Sequence, residues 1–416
     1  MKIEVITIGD EILSGNIVDT NFAWLGDQLW SQGFDLHWNT SVGDEPEPIS
    51  KALLAAAERS HAVIVTGGLG PTLDDITIET AAQAFGLPLV LNTEALQAMK
   101  DFFKKLGREF SPTNEKQALL PEGSQMIANR IGTAPGCHLL FKKTHFFFLP
   151  GVPQEMKQQF RDFVLPKLKS LERAPIFFHS KFLRCFGESE AKIAHKLEGI
   201  DLSGIDLAYR PMMPEILLKI SARGGDQKGL EKRVAQVEAE IRKRLGEIVY
   251  GEGEETLSQV IGRLLVEKKG TVAVAESCTG GLLASLITDV SGSSRYFERG
   301  VVTYSNQSKT EILGVPESLI QKKGAVSTEV AIAMAQGIRR LARTTYGVGI
   351  TGIAGPGGGT EQKPVGTVHV AVDYEGGTDE RKVFFPTNRN WFKQLAAFVA
   401  LDLLRKTLRA RTQLRD

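Results

Sequence analysis

Cysteine is scarce in this chain. Its 416 residues hold three, Cys137, Cys185 and Cys278, odd in number and widely spaced, a pattern that argues against a disulfide framework or a zinc site. An excess of either charge is also missing: 50 basic residues face 49 acidic ones, for a net charge of +1. A broad surface for nucleic acid or membrane is therefore not expected. No run of about 18 apolar residues occurs, which removes a bilayer-spanning helix. The opening, MKIEVITIGDE, is a charged strand pattern and not a secretory leader, so a cytoplasmic location is the expectation. Histidine is rare where a hydrolase might use it. Of seven, His369 alone lies beyond residue 250, mid-strand between valines that point the other way. What remains is a globular composition, 42% hydrophobic and 24% charged, in a length that suits two or three domains.

Residues 1–170 alternate strand and helix patterns. KIEVITIG (2–9), FDLHWNTSV (34–42) and HAVIVTGG (61–68) read as strands. DTNFAWLGDQLWSQG (19–33) reads as a helix with Asp19 as N-cap and Gly33 as C-cap, and PISKALLAAAERS as another. This alternation predicts parallel strands with crossover helices. Residues 171–250 change to a small α+β unit in the order βαββα, and GEIVYGEGEET (246–256) reads as a linker. From 251 to 416 the α/β pattern returns. Leu257, Val260, Ile261, Leu264 and Leu265 form one apolar helical face, closed by Gly270. TVAVA (271–275), RGVVTYS and YGVGIT (346–351) are strands, Ser327 caps a helix, VGTVHVAVDY and ERKVFF form a hairpin, and a long helix ends the chain.

Two stretches carry chemistry. In AESCTGG (275–281) a strand meets a small polar cluster and restarts as a helix. Backbone N–H groups at such a turn favour a phosphate or a developing oxyanion. Ser277 sits there either as a nucleophile or as a helix cap. Tyr304 and Lys309, in VVTYSNQSKTEILG, are the candidates to activate it. A lysine can be the base if its pKa falls from about 10.4, although spacing alone reads Lys309 as a solvated helix charge. The loop GIAGPGGGT, with Gly352, Gly355 and Gly357, is dense enough in glycine to bring backbone N–H groups to a phosphate, or is a surface loop. Near the N-terminus, IVTGGLGPTLDD (64–75) offers Gly67, Gly68 and Gly70 for close approach, Thr72 as a hydroxyl, and Asp74 and Asp75 as hard ligands for a divalent cation. GDEILSG (9–15) adds Asp10 and Glu11. In a parallel sheet both loops lie at the carboxyl edge, where such folds bind ligands.

AESCTGG, FERGVVTYSNQSKTEILGV, GAVS and GITGIAGPGGG followed by KPVGTVHVAV resemble the CinA C-terminal domain, the nicotinamide mononucleotide (NMN) deamidase family, over nearly all of residues 255–410. The resemblance implies Ser277 as nucleophile, Lys309 as its basic partner and Tyr304 as the motif's tyrosine. It also implies Thr351 and Arg389 at the substrate. Where the family shows GDR-x-x-x-R this chain has TNRNWFK. Arg389 is kept, but Lys393 cannot supply a bidentate arginine clamp. The implied reaction hydrolyses a carboxamide without a cofactor. Backbone N–H groups near Cys278 and Thr279 would hold the oxyanion, Gly280 would lie at the substrate, and the Cys278 thiol is a bystander.

GDEILSGNIVDTN, GGLGPTLDD, NEKQALLP, NRIGTAPG and LPGVPQEM resemble the CinA N-terminal domain, of the molybdopterin-binding (MoaB/MogA-like) fold. This implies a metal-dependent ADP-ribose pyrophosphatase using magnesium, manganese or cobalt, although the same fold elsewhere binds molybdopterin. The middle unit resembles a KH-type domain but has GESE where a G-x-x-G loop would begin its first helix, so direct nucleic-acid binding is not expected. The fold expectation is two three-layer α/β domains joined by a small α+β KH-type domain, in a likeness that implies a homodimer acting on the nucleotides NMN and ADP-ribose. A competing reading is a regulatory protein of DNA uptake or recombination.

Overall fold

The computed structural model describes residues 1–172 and 177–410. Residues 173–176, near the start of the expected second domain (171–250), lie outside the described residues. Spatial proximity groups residues 1–179 and 223–230 into one unit, and 180–222 with the described residues from 231 onward into a second.

In the first unit the strands are β1 (Ile3–Ile8), β2 (Leu36–Val42), β3 (Ala62–Thr66), β4 (Leu89–Leu91), β5 (Leu119–Pro121), β6 (Gln125–Ile127), β7 (Gly136–Phe141) and β8 (Thr144–Leu149). Six of them form a sheet in the order β2-β1-β3-β8-β7-β6. It is parallel from β2 to β8 and antiparallel through β7 and β6. β1 and β3 are buried along their whole length, as strands covered on both faces must be. Ile6, Ile8, Val63 and Val65 pack with Ile49, Leu53, Ala81 and Phe85 on one side. Ile3, Val5 and Ile64 pack with Leu25, Leu29, Met156 and Phe160 on the other. The result is a three-layer unit. Asp19 caps the helix Thr20–Ser31 by accepting from Phe22 N–H at 2.8 Å. Gln32 is the C-cap, and Gly33 is the residue beyond it, at φ 82°.

The middle module contains β9 (Phe177–Cys185), β10 (Asp206–Met212), β11 (Glu215–Gly224) and β12 (Val249–Glu252), in the order β10-β11-β9-β12. The βαββα expectation holds, but the expected linker does not. Val249 and Tyr250 are buried, and their segment pairs antiparallel with β9. The flanking glycines and glutamates read as loop, whereas the open edge of β9 gives this short apolar stretch a partner.

The last module is a sheet of β13 (Val272–Glu276), β14 (Phe297–Val302), β15 (Tyr346–Gly352), β16 (Thr367–Tyr374) and β17 (Gly377–Phe384), in the order β14-β13-β15-β16-β17. β14, β13 and β15 are parallel, and β16 and β17 form the expected hairpin. Val272 and Val274 pack with Val260, Leu265, Ala396 and Leu404 from the first and last helices. Ala273 and Ala275 pack with Val330, Met334 and Ile338 on the opposite face. Thr256 and Gln259 form a capping box at the helix Leu257–Glu267. Gly270 does not take the left-handed position after that helix; Lys269 does, at φ 52°. Gly270 N–H instead closes the turn on the Leu265 carbonyl at 2.8 Å.

Candidate active site

β13 ends at Glu276, so Ser277 is the first residue beyond the sheet. The chain then turns through Gly280 and Gly281, at φ 62° and 97°, into the helix Leu282–Thr288. Only glycine enters that region without strain. Next door, Thr303 N–H donates to the Glu276 carbonyl at 2.8 Å, and Ser277 N–H to the Ile350 carbonyl at 3.1 Å. The turn is thus tied to both neighbouring strands.

Lys309 lies in the first turns of the helix Asn306–Leu313, which Ser305 caps. Helical side chains lean toward the N-terminus, and this one leans back over the cap. Its Nζ lies 3.2 Å from Ser277 Oγ, 2.8 Å from the Thr303 carbonyl and 3.3 Å from the Tyr304 carbonyl. Lys309 is 1% exposed, so the solvated charge that spacing suggested is overturned. Burial lowers its pKa, with a smaller opposing effect from Cys278. Nζ also reaches the Ser305 carbonyl at 3.5 Å and donates to Ser277 Oγ; once the amine is neutral its lone pair can take the Ser277 proton instead.

Cys278 is buried, and burial pushes its thiol up to about 12. Its sulfur packs against Gly352, where an added Cβ would lie 3.1 Å from Sγ. The thiol is therefore directed into the core and stays protonated. Gly280 N–H is taken by the Ser277 carbonyl, whereas among the described residues the amides of Cys278 and Thr279 donate to no other residue. Thr279 is fully buried and its hydroxyl has no partner among the described residues.

Tyr304 is 60% exposed, and its hydroxyl accepts from Arg389 Nη2 at 2.8 Å. Arg389 Nη1 donates to the Gly355 carbonyl at 2.7 Å, which links the glycine loop to Tyr304. Lys393 follows one turn later on the same helix, and its Nζ would be 3.6 Å from a Cβ added to Gly280. Thr351 is buried and donates its hydroxyl to the Ala325 carbonyl at 2.9 Å. Gly352 packs tightly, Gly355 orients the loop, and Gly357 is open to solvent. His369 is buried, with its ring 2.9 Å from the Thr328 hydroxyl, which is a packing role.

One expectation fails at this turn. The start of the helix Leu282–Thr288 is not open to an anion. The Glu276 carboxylate fills it, accepting from Gly281, Leu283 and Ala284 N–H at 3.0, 3.0 and 2.8 Å. A glutamate closing a strand gave no sign of this in the sequence.

The first unit has a cavity of ≈ 490 Å³ at the carboxyl ends of its parallel strands, lined by Glu11, Asn21, Asp44, Gly67, Gly68, Gly70, Asp74 and Asp75 among others. A Cβ on Gly67 would strike the Ile8 carbonyl at 2.1 Å, so only glycine allows this crossing. Thr72 does not line the cavity. Its N–H donates to Asp75 Oδ2 at 2.9 Å and its hydroxyl bonds the same oxygen, which turns Asp75 into the loop. Among the lining residues that escaped the sequence reading are Asp44 and Asn21. Asp44 N–H donates to Asp10 Oδ1, and Asp10 N–H to Asp44 Oδ2. Burial raises the Asp44 pKa, as do the charges of Asp10, Glu11 and Asp74. Asn21 donates to Thr66 Oγ1 and to the Gly151 carbonyl, and its buried Oδ1 has no partner among the described residues. Oxygen donors of this kind suit a hard divalent cation. Among the described residues no three His, Cys, Asp or Glu side chains converge on a metal position by themselves.

These features define a protein of two α/β units, one with a serine–lysine pair and one with an acidic cavity. Family models match three segments: "CinA C-terminal domain" at 254–408, "Probable molybdopterin binding domain" at 4–170, and "Damage-inducible protein CinA KH domain" at 180–251. A CinA-like protein of Geotalea uraniireducens (strain Rf4) is 42% identical over 410 residues, 98% of each chain. One of Geobacter sulfurreducens is 43% identical over 410 residues, 98% of this chain and 99% of that one. A solved structure, the protein CinA with unknown function from Thermoplasma acidophilum, is 36% identical, covers 40% of this chain and 96% of its own, and has a TM-score of 0.37. The chain belongs to the CinA family.

Proposed function

We propose that the C-terminal module hydrolyses NMN to nicotinic acid mononucleotide and ammonia. The observation that carries this reading is the buried Lys309 amine 3.2 Å from Ser277 Oγ, with its pKa lowered by burial. Ser277 Oγ attacks the carboxamide carbon while its proton passes to Lys309. The amides of Cys278 and Thr279 receive the oxyanion. Lys309 returns the proton to the departing nitrogen, the C–N bond breaks, and ammonia leaves an acyl ester that water hydrolyses. Arg389 and Lys393 stand beside the turn for the phosphate. Purified protein supplied with NMN should release ammonia, and a Ser277→Ala variant should not. Absence of ammonia from the unaltered protein would remove this reading.

The same proposal gives the first unit an ADP-ribose pyrophosphatase activity, supported by its acidic cavity at the strand ends. Glu11, Asp44, Asp74 and the free Asn21 carbonyl line this cavity, and since among the described residues no three carboxylates converge by themselves, part of this set would hold a divalent cation jointly with the pyrophosphate oxygens. That ion would supply charge neutralisation for the pyrophosphate. The glycine loop lets backbone approach the phosphates. AMP formed from ADP-ribose with magnesium, manganese or cobalt is the test.

A further inference from the structure

Glu276 is 1% exposed, and its carboxylate oxygens are engaged by three backbone amides. Those amides lie on the far side of the turn that holds Ser277. The Glu276 backbone is fixed at the end of β13, where its carbonyl accepts from Thr303 N–H at 2.8 Å. The residue therefore clamps both ends of the segment 277–280: its main chain anchors the entry, and its side chain anchors the exit at Gly281, Leu283 and Ala284. Thr303 is also the residue whose carbonyl holds Lys309 Nζ at 2.8 Å. Glu276 thus touches the supports of nucleophile and base together.

We propose that Glu276 is the positioning residue of this site, an internal anion that holds the turn so that Ser277 Oγ faces Lys309 Nζ. By occupying the helix start it also keeps the substrate phosphate away from that terminus, which leaves Arg389 and Lys393 as the basic groups at hand. The inference deepens the serine–lysine reading of this site and rests on it.

Two variants test it. In Glu276→Gln one carboxylate oxygen becomes an NH₂ group, so at least one of the three amides meets a donor. Glu276→Asp keeps the charge but withdraws it by a methylene. An electrostatic role would survive in Asp, whereas a positioning role fails in both. Displacements of about 1 Å at a reacting atom can cost on the order of a hundredfold, so kcat for NMN should fall at least about tenfold in both variants. KM should stay within about twofold, because the phosphate contacts are untouched. A second readout needs no NMN: the rate at which phenylmethylsulfonyl fluoride labels Ser277, with Ser277→Ala as blank. It should fall in parallel with kcat, while near-ultraviolet circular dichroism shows the fold retained. Labelling at the unaltered rate in both variants overturns the proposal even if NMN is not the substrate. Retained kcat in Glu276→Asp, a change confined to KM, or loss of the fold in both variants overturns it as well. Failure of the unaltered protein to release ammonia, with labelling still dependent on Glu276, removes the NMN reading and keeps the positioning role.

Discussion

Replacing Lys309 by methionine removes the amine and keeps most of the buried stem. The base contributes on the order of a hundred- to ten-thousandfold in such reactions, or roughly 3–5 kcal/mol of barrier at 1.36 kcal/mol per decade. NMN turnover should fall by that amount. Stability should move differently. The Thr303 and Tyr304 carbonyls, at 2.8 and 3.3 Å from Nζ, lose a donor at about 1 kcal/mol each. Against this, the cost of burying an ammonium disappears. Folding lowers the Lys309 pKa, so between its folded value and about 10.4 the unfolded chain binds the proton more readily. The penalty is complete below that window and gone above it. Stability of the unaltered protein therefore rises with pH through the window, and Lys309→Met should flatten this rise. Ammonia release and calorimetric melting, each followed across pH, read the two effects separately. Lys309→Arg fills the space but holds its proton throughout, so it should be as inactive as Lys309→Met. Near-native turnover in Lys309→Arg, or a rate that does not rise as Lys309 loses its proton, would refute the base assignment.

Ser277→Ala should abolish ammonia release and spare ADP-ribose cleavage, while Cys278→Ala keeps most deamidation and loses about 1 kcal/mol of stability to a small cavity; the reverse pattern of activities would exchange their roles. Chelation should stop AMP formation from ADP-ribose and leave NMN hydrolysis unchanged. Asp44→Asn should weaken the metal dependence, and a metal titration of AMP formation that matches the unaltered protein would remove Asp44 from the site. The pair His138 and His145 lies in the first unit with ring nitrogens 2.9 Å apart. Burial chiefly, with His145 and Lys167, pushes His138 down to about 4. The unfolded chain then binds more protons from about 6.5 downward, so the first unit should lose stability as pH falls from about 6.5 toward 4. His138→Gln should reduce that slope in calorimetry, and an unchanged slope would place the acid sensitivity elsewhere.

Local pattern determined the modules of this protein. The β-branched stretches Ile3–Ile8 and Ala62–Thr66 read as strands and are buried along their length, and the Asp19 and Ser327 caps mark helix starts by their own hydrogen bonds. The same local pattern put Ser277 on a strand-to-helix turn but left nucleophile and cap both open, and Ser277 proves to be buried there. Long-range placement was not legible. Whether Lys309 is solvated or desolvated depends on Thr303 and Ser277, six and 32 residues away, meeting it across the end of the sheet. The edge that recruits Val249–Glu252 belongs to β9, more than sixty residues earlier in the chain. Asp44 reaches the acidic cavity because β2 lies beside β1, and Glu276 turns its carboxylate into its own helix. Sequence spacing fixes which groups are neighbours along one element; the pairing of elements decides which charges lose their water, and with it which side chains can do chemistry.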